Sequence, residues 1–375
     1  MIVCLNAGFV QTIADRARVA TNNKKPERGS HVDMPFAPGA AGRHMSGFHR
    51  RDFLALGSAL LVARASAQQT PAATRPAAAP PAPPKTLPPA WHKATRLALW
   101  PHSAPGAADY APQVLPQDWS PVFVRNVASP DLHVFRPGHG NGHALLVMPG
   151  GAYWFVSVAN EGVDLARRMN ALGYTVFVLT YRLPGEGWKQ RSDVPLQDAQ
   201  RAMRVIRANA SAYGYDADKV SVLGFSAGGH LAATLATRHA ERCYDAVDPV
   251  DTLSARPMAA GLVYPVVTMD ARWTHAKSRE LLLGDAPSAA EVERRSAERQ
   301  VDANTPPTFL VHALDDEAVP VENSLQLLSA LRAAGRPAEA HFVQEGGHAF
   351  GVGRPGTPSA QWIPLFSSWL ERIHS

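Results

Sequence analysis

The 375-residue sequence predicts an α/β fold: a mostly parallel central sheet with an antiparallel start and helices on both faces. Three features predict it. Through the later part of the chain, apolar runs of strand length alternate with helical stretches, the pattern of a sheet covered on both sides. The early apolar runs follow one another with no helix between them, which favours antiparallel pairing there. One run, at 220–223, passes at once through a five-residue turn into a helix rich in Ala and Leu.

In chain order the strands are expected at 122–126, 132–135, 144–148, 175–179, 220–223, 261–264, 308–312 and 340–343. Helices are expected near 162–172, 196–212, 229–239, 322–334 and 360–373. Trp91, Trp100, Trp119 and Trp362 read as packing residues. Gly214 is placed to end a helix before the 220–223 strand. Asp198, near the start of a helix, is expected in capping or ion-pair contacts rather than in chemistry. No internal repeat is visible.

The turn after 220–223 is Gly224-Phe225-Ser226-Ala227-Gly228. A strand that turns directly into a helix strains its central residue and brings other backbone close on both sides, so glycines at the flanks remove colliding Cβ atoms. Strand, G-x-S-x-G and helix in this order form the nucleophile elbow of an α/β-hydrolase. Ser226 is then held at the carboxyl edge of the sheet, with the positive end of the helix behind it.

A serine hydroxyl needs a base to take its proton and an acid to orient that base. In this fold class the chain order is Ser, then Asp or Glu, then His. The strand at 308–312 runs into the acidic loop Asp315-Asp316, and the last strand runs into Gly346-Gly347-His348. Carboxyl ends of parallel strands are where ligands and catalytic groups collect. Fifteen histidines make any single one weak evidence. His348 is distinguished by its position and by Gly346, Gly347 and Gly351 around it.

The second requirement is an oxyanion hole, backbone N–H groups aimed at the oxygen that becomes charged. Ala227 is one expected donor. Pro149-Gly150-Gly151-Ala152-Tyr153 follows the 144–148 strand and supplies the others, with Gly151 and Ala152 as the donors. Tyr153 and Trp154 beside this loop either offer a face to a substrate ring or belong to the core.

Composition bounds the alternatives. The formal charge of +5 comes from residues 1–67, with nine Lys/Arg against four Asp/Glu; residues 68–375 carry 28 of each sign. No concentrated basic face is expected, so nucleic acid is not a predicted partner. Cys4 and Cys243 are the two cysteines, and only Cys243 lies in the globular part. No His/Cys/Asp/Glu group has metal-ligand spacing, no nucleotide-binding loop follows a strand, and no cofactor is called for.

Residues 1–44 lack periodicity. From Met45 the chain reads Arg50-Arg51, Phe53-Leu54, a modest apolar run and Ala65-Ser66-Ala67. This resembles a twin-arginine export signal over 45–67, cleaved after Ala67, with an apolar run too short for a permanent membrane span. Such a signal belongs at a chain start, so Met45 is the expected initiator and 1–44 upstream sequence. Residues 68–94 read as an Ala/Pro-rich tether. The catalytic domain is expected over 95–375, in a periplasmic or secreted protein with no transmembrane anchor when mature.

Several blocks together resemble a bacterial family of α/β-hydrolases that contains acetyl-xylan esterases and related carbohydrate esterases. They are Pro149-Gly-Gly-Ala-Tyr, Tyr181-Arg-Leu, Gly224-Phe-Ser-Ala-Gly-Gly-His, Pro306-Pro-Thr-Phe-Leu-Val-His, Val319-Pro-Val-Glu-Asn-Ser and Gly346-Gly-His-Ala-Phe-Gly. The resemblance implies Ser226 as nucleophile, His348 as base and Asp316 as acid. The last follows because in related chains the acid lies four residues after a histidine and three before a valine, here His312 and Val319. Lipase-like relatives carry His-Gly-Gly-Gly where this chain has Pro149-Gly-Gly-Ala. The implied activity is that of an exported serine esterase acting on acyl esters of plant polysaccharide. Two rivals are a peptidase of the prolyl-oligopeptidase type, whose large gating domain has no room here, and a non-catalytic carbohydrate-binding protein on the same scaffold.

Overall fold

Residues 84–373 are described by a computed structural model; the predicted segments 1–44 and 45–67, and residues 68–83 of the tether, lie outside them. The strands are β1 (Thr95–Ala98), β2 (Phe123–Val124), β3 (Asp131–Phe135), β4 (Ala144–Met148) and β5 (Val156–Ser157). After them come β6 (Thr175–Thr180), β7 (Val220–Phe225), β8 (Ala260–Val263), β9 (Thr308–Ala313) and β10 (Ala338–Val343). Eight of them form one sheet in the order β1-β3-β6-β4-β7-β8-β9-β10. The β1–β3 and β3–β6 pairs are antiparallel, and every later pair is parallel.

This order places the site. From β4 the chain moves outward to β6, then returns past β4 to form β7. The connections leaving β4 and β7 therefore diverge, opening a crevice at the carboxyl edge between neighbouring strands. In register, Met148 lies beside Gly224. The segments that follow them, Pro149–Tyr153 and the Ser226 turn, leave the sheet side by side.

The central strands are buried along their whole length, as continuous runs such as Leu145-Leu146-Val147 and Val176-Phe177-Val178 require. The helix Val194–Ala208 buries Leu196, Ala199, Met203 and Ile206, a stripe at helical spacing. Ser226–Arg238 packs on β7 and β8. In Trp362–Arg372, Phe366 packs edge-on and Trp369 tilted against Phe309 of β9, at 5.4 and 5.6 Å.

Four expectations are corrected. The strand predicted at 122–126 shrinks to Phe123–Val124, which pairs with β5 outside the main sheet. The true edge strand, β1, is largely exposed and lacks the alternation that would have marked it. The fold starts before residue 95: Pro89–Lys93 is a helical turn whose Trp91, 6% exposed, stacks on His133 at 3.6 Å. Two helices between β8 and β9, Ala276–Leu283 and Ala289–Arg295, were not anticipated. The second does carry a start signal, since Ser288 and Glu291 form a capping box.

Gly214 ends the turn Ala210–Tyr213 in the left-handed conformation, in keeping with its reading. Asp198 is fully buried and pairs with buried Arg182 at 2.8 Å, while Trp100 Nε1 donates to the same carboxylate at 3.0 Å. Trp91, Trp100 and Trp362 are buried, and Trp119 is half-buried.

Candidate active site

Ser226 is the first residue of its helix, with φ of 50° directly after the extended Phe225. That conformation is a strained one for a residue with a Cβ. Other backbone comes so close that the turn needs glycine at its flank: a Cβ on Gly228 would lie 2.1 Å from the Met148 carbonyl oxygen. Gly150 is as tightly placed, since its added Cβ would lie 2.9 Å from that of Ser226. The oxyanion loop and the nucleophile are thus in contact.

The loops after β9 and β10 bring the other two groups. Ser226 Oγ donates to His348 Nε2 at 2.9 Å, and His348 Nδ1 donates to Asp316 Oδ2 at 2.7 Å. The other oxygen of Asp316 accepts from the Ala318 and Val319 N–H groups at 3.0 and 2.9 Å. His312 adds a further donor. Its Nε2 lies 3.2 Å from Asp316 Oδ2 and 3.0 Å from the Val319 carbonyl, so that nitrogen carries the hydrogen and Ser324 donates to Nδ1 at 2.8 Å. Burial alone would raise the Asp316 carboxyl. The hydrogen bonds from His312, His348 and Val319 prevail and hold it far below the usual carboxylate range. Asp316 stays ionised and can fix the imidazole tautomer.

Asp315 points the other way. Its Oδ1 accepts from the Gly346 and Gly347 N–H groups at 2.9 and 2.7 Å, tying the β9 loop to the backbone just before His348. Asp315 thus caps the loop.

Of the expected oxyanion donors, Ala227 lies in the first turn of its helix, where N–H groups lack an intrahelical acceptor. Gly151 and Ala152 follow in the contacting loop with φ of 130° and 57°, and Tyr153 has φ of 60°. Tyr153 is not a ring face for substrate. It is 1% exposed, and its hydroxyl meets His230 Nδ1 at 2.8 Å, while His230 Nε2 donates to the Arg295 carbonyl at 2.7 Å. Burial pushes His230 down to about 4, so it is neutral and accepts from Tyr153. The loop needs an interior anchor, and Tyr153 supplies it. Trp154 is half-buried, edge-on to Trp119 at 5.5 Å, with Arg125 over both rings.

Three contributors were missed. Glu161, in the π-helical turn Ala159–Asp164, is buried and accepts from the Gly150 N–H at 2.6 Å and the Tyr264 hydroxyl at 2.8 Å. Burial raises its carboxyl, against the pull of those two bonds and of nearby His348. Tyr264, just after β8, sets its ring edge-to-face with that of His348 at 4.9 Å. Its place at a strand's carboxyl end was the one available signal. His275 is pushed down to about 4 by burial and by the proximity of His348.

The BD-FAE family profile matches residues 131–331, more than half of the chain. The chain belongs to the BD-FAE family. Among its relatives are endo-1,4-β-xylanase B of Butyrivibrio fibrisolvens, 40% identical over 199 residues, and an acetylxylan esterase of Xylanibacter ruminicola, 30% identical over 243 residues. These matches cover 53% and 64% of this chain but only 31% and 47% of the relatives, so the chain spans at most about half of their length. A solved acetyl ester-xyloside bifunctional hydrolase from Caldicellulosiruptor lactoaceticus is 33% identical with a TM-score of 0.63, covering 75% of this chain and 97% of its own. The BD-FAE chain has the α/β-hydrolase fold.

Proposed function

We propose that this chain is a serine carboxylic-ester hydrolase that removes acetyl or other short acyl groups, with acylated plant polysaccharide such as xylan as its substrate class. The observation that carries the reading is the continuous hydrogen-bonded series from Ser226 through His348 to Asp316. Ser226 Oγ attacks the ester carbonyl while His348 Nε2 takes its proton. The tetrahedral oxygen is stabilised by the N–H groups of Ala227, Gly151 and Ala152. His348 passes the proton to the departing alcohol, and Asp316 stabilises the imidazolium. Water, activated by the same imidazole, then cleaves the acyl-enzyme, restoring Ser226 and releasing the acid.

Xylan as the substrate class is supported by the names of the acetylxylan esterase and the acetyl ester-xyloside hydrolase among the similar proteins. Half-buried Trp154 beside the oxyanion loop is the proposed face for a sugar ring. A panel of acetylated xylan, acetylated pectin, feruloyl esters and p-nitrophenyl acetate tests this. Acetate release from xylan is expected to lead among the polymers. Cleavage of feruloyl esters without any acetate release would overturn the substrate class.

Export by the twin-arginine route, to the periplasm or beyond, belongs to the same proposal and is supported by the sequence change at Met45. Mass spectrometry of the exported protein should find an N-terminus at or near Gln68, and Arg50→Lys with Arg51→Lys should retain the protein in the cytoplasm. Export unaffected by that pair of changes would count against the signal. Among the described residues, no helix is long and apolar enough to cross a membrane.

A further inference from the structure

Six non-glycine residues have a positive φ among the described residues, and five of them are at this site: Ala152, Tyr153, Ser226, Tyr264 and Ala349. Each such residue costs on the order of 1–3 kcal/mol and persists only when its surroundings over-determine it. The strain falls on four separate segments: the oxyanion loop, the nucleophile turn, the turn after β8 that holds Tyr264 and the loop that carries His348. Something must hold these segments in register with one another.

We propose that Glu161 is a positioning residue for ester hydrolysis, one buried carboxylate that restrains the oxyanion loop with one oxygen and the His348 loop with the other. Its Oε2 accepts from the Gly150 N–H at 2.6 Å, immediately before Gly151 and Ala152. Its Oε1 accepts from the Tyr264 hydroxyl at 2.8 Å, and that hydroxyl oxygen in turn accepts from the Gly351 N–H at 3.0 Å. Gly351 lies three residues beyond His348, and the Tyr264 ring packs against the imidazole. Both direct partners of Glu161 therefore donate to it, the pattern an ionised carboxylate satisfies and an amide does not.

The carboxylate is built into place. It sits in a π-helical turn, a rare local geometry that recurs at functional sites. Asn160 Oδ1 accepts from the Glu161 N–H at 2.9 Å and from Ser157 Oγ at 3.0 Å, fixing the turn on β5. Tyr181 completes the restraint by donating to the Pro149 carbonyl at 2.7 Å. The hydrogen bonds of Glu161 reach the site through Gly150 and Tyr264, and its charge lies near the His348 imidazole, so its effect should fall on the chemical step and not on substrate binding.

This inference rests on the proposed hydrolase reading, and the experiment separates the two. Wild type, Glu161→Gln and Tyr264→Phe are assayed with p-nitrophenyl acetate, and active sites are counted by fluorophosphonate titration. Thermal melting fixes a temperature at which all three are folded. Misplaced catalytic groups lower rate constants by up to about 10²-fold without a matching loss of affinity. Glu161→Gln is expected to lower kcat per titrated site by about 10- to 100-fold with KM within about threefold. Tyr264→Phe, which removes the hydroxyl bridging Glu161 and Gly351 but leaves the Glu161 bond to Gly150, is expected to lose about 5- to 10-fold. A purely structural role would reduce the number of titratable sites and leave kcat per site intact; that result, or kcat within twofold of wild type, overturns the inference. Where Glu161→Gln does not fold, Tyr264→Phe decides by the same criterion. A wild-type chain that neither turns over the ester nor takes the phosphonate removes the hydrolase reading, and this inference with it.

Discussion

Ser226→Ala is expected to abolish ester hydrolysis down to the residual rate that the oxyanion hole and substrate binding provide. The hydroxyl is set against a histidine that can accept its proton, through the 2.9 Å bond to His348 Nε2. In the subtilisin example, loss of the serine costs about 10⁶-fold in kcat, and the residual catalysis over water comes from oxyanion stabilisation and binding. A loss of that order is expected here. The fold should be unaffected, because alanine keeps the Cβ that already fits the turn and removes one hydroxyl whose other partner is partly exposed. The measurement is kcat on p-nitrophenyl acetate, with fluorophosphonate labelling and thermal melting as controls. More than a few per cent of wild-type activity would sink the assignment of Ser226, as would a phosphonate adduct on another residue.

The parts of this site that were legible in the sequence are those fixed by local geometry. A strand, a glycine-flanked serine and a helix admit few backbone solutions, so Ser226 could be placed at a sheet edge from its neighbours alone. The strand end carrying Asp316 was legible because β9 is a buried, mostly apolar run that stops abruptly at an acidic loop. By contrast β10 is a half-buried edge strand, and His348 was legible from its flanking glycines and its place in the chain order. The approach of both residues to Ser226 follows from the order of β7, β8, β9 and β10 across the sheet. Glu161 was not legible. It stands among residues that read as the start of a helix, and its partners are Gly150 and Tyr264, the latter 103 positions away. Nothing local in a single sequence distinguishes such a carboxylate from a surface one. Tyr153 was left open between a substrate face and the core for a different reason. An aromatic beside an oxyanion loop suits a binding face or an anchor equally well, and only the buried bond to His230 separates the two. Edge strand β1 was lost because an exposed strand paired on one side has no pattern to betray it.

Asp316→Asn is expected to cost about 10⁴-fold in kcat, second only to Ser226→Ala, and Asp315→Asn far less. The reason lies in what each carboxylate accepts. Asp316 takes four N–H donors: His348 Nδ1 and His312 Nε2 on one oxygen, and the Ala318 and Val319 backbone on the other. An asparagine has one oxygen and one donating nitrogen. In either orientation its NH₂ must face two N–H groups, either the two imidazoles or the loop backbone. The first orientation drives His348 toward the tautomer with its hydrogen on Nε2, which cannot take the Ser226 proton; the second distorts the turn that carries the residue. In the serine-protease example, the same substitution lowers kcat by about 10⁴-fold through the tautomer alone, and a loss near that is expected here with KM little changed. Asp315 accepts both its bonds, from Gly346 and Gly347, on a single oxygen. Asn keeps that oxygen, so Asp315→Asn should cost less than about tenfold, as a charged acceptor becomes a neutral one of roughly half the strength. Asp315→Ala, which frees both N–H groups beside the His348 loop, should cost more than Asp315→Asn and far less than Asp316→Asn. If Asp315→Asn proves the more damaging and Asp316→Asn stays active, the acid is misassigned by one position and the geometry around His348 in solution differs from that described.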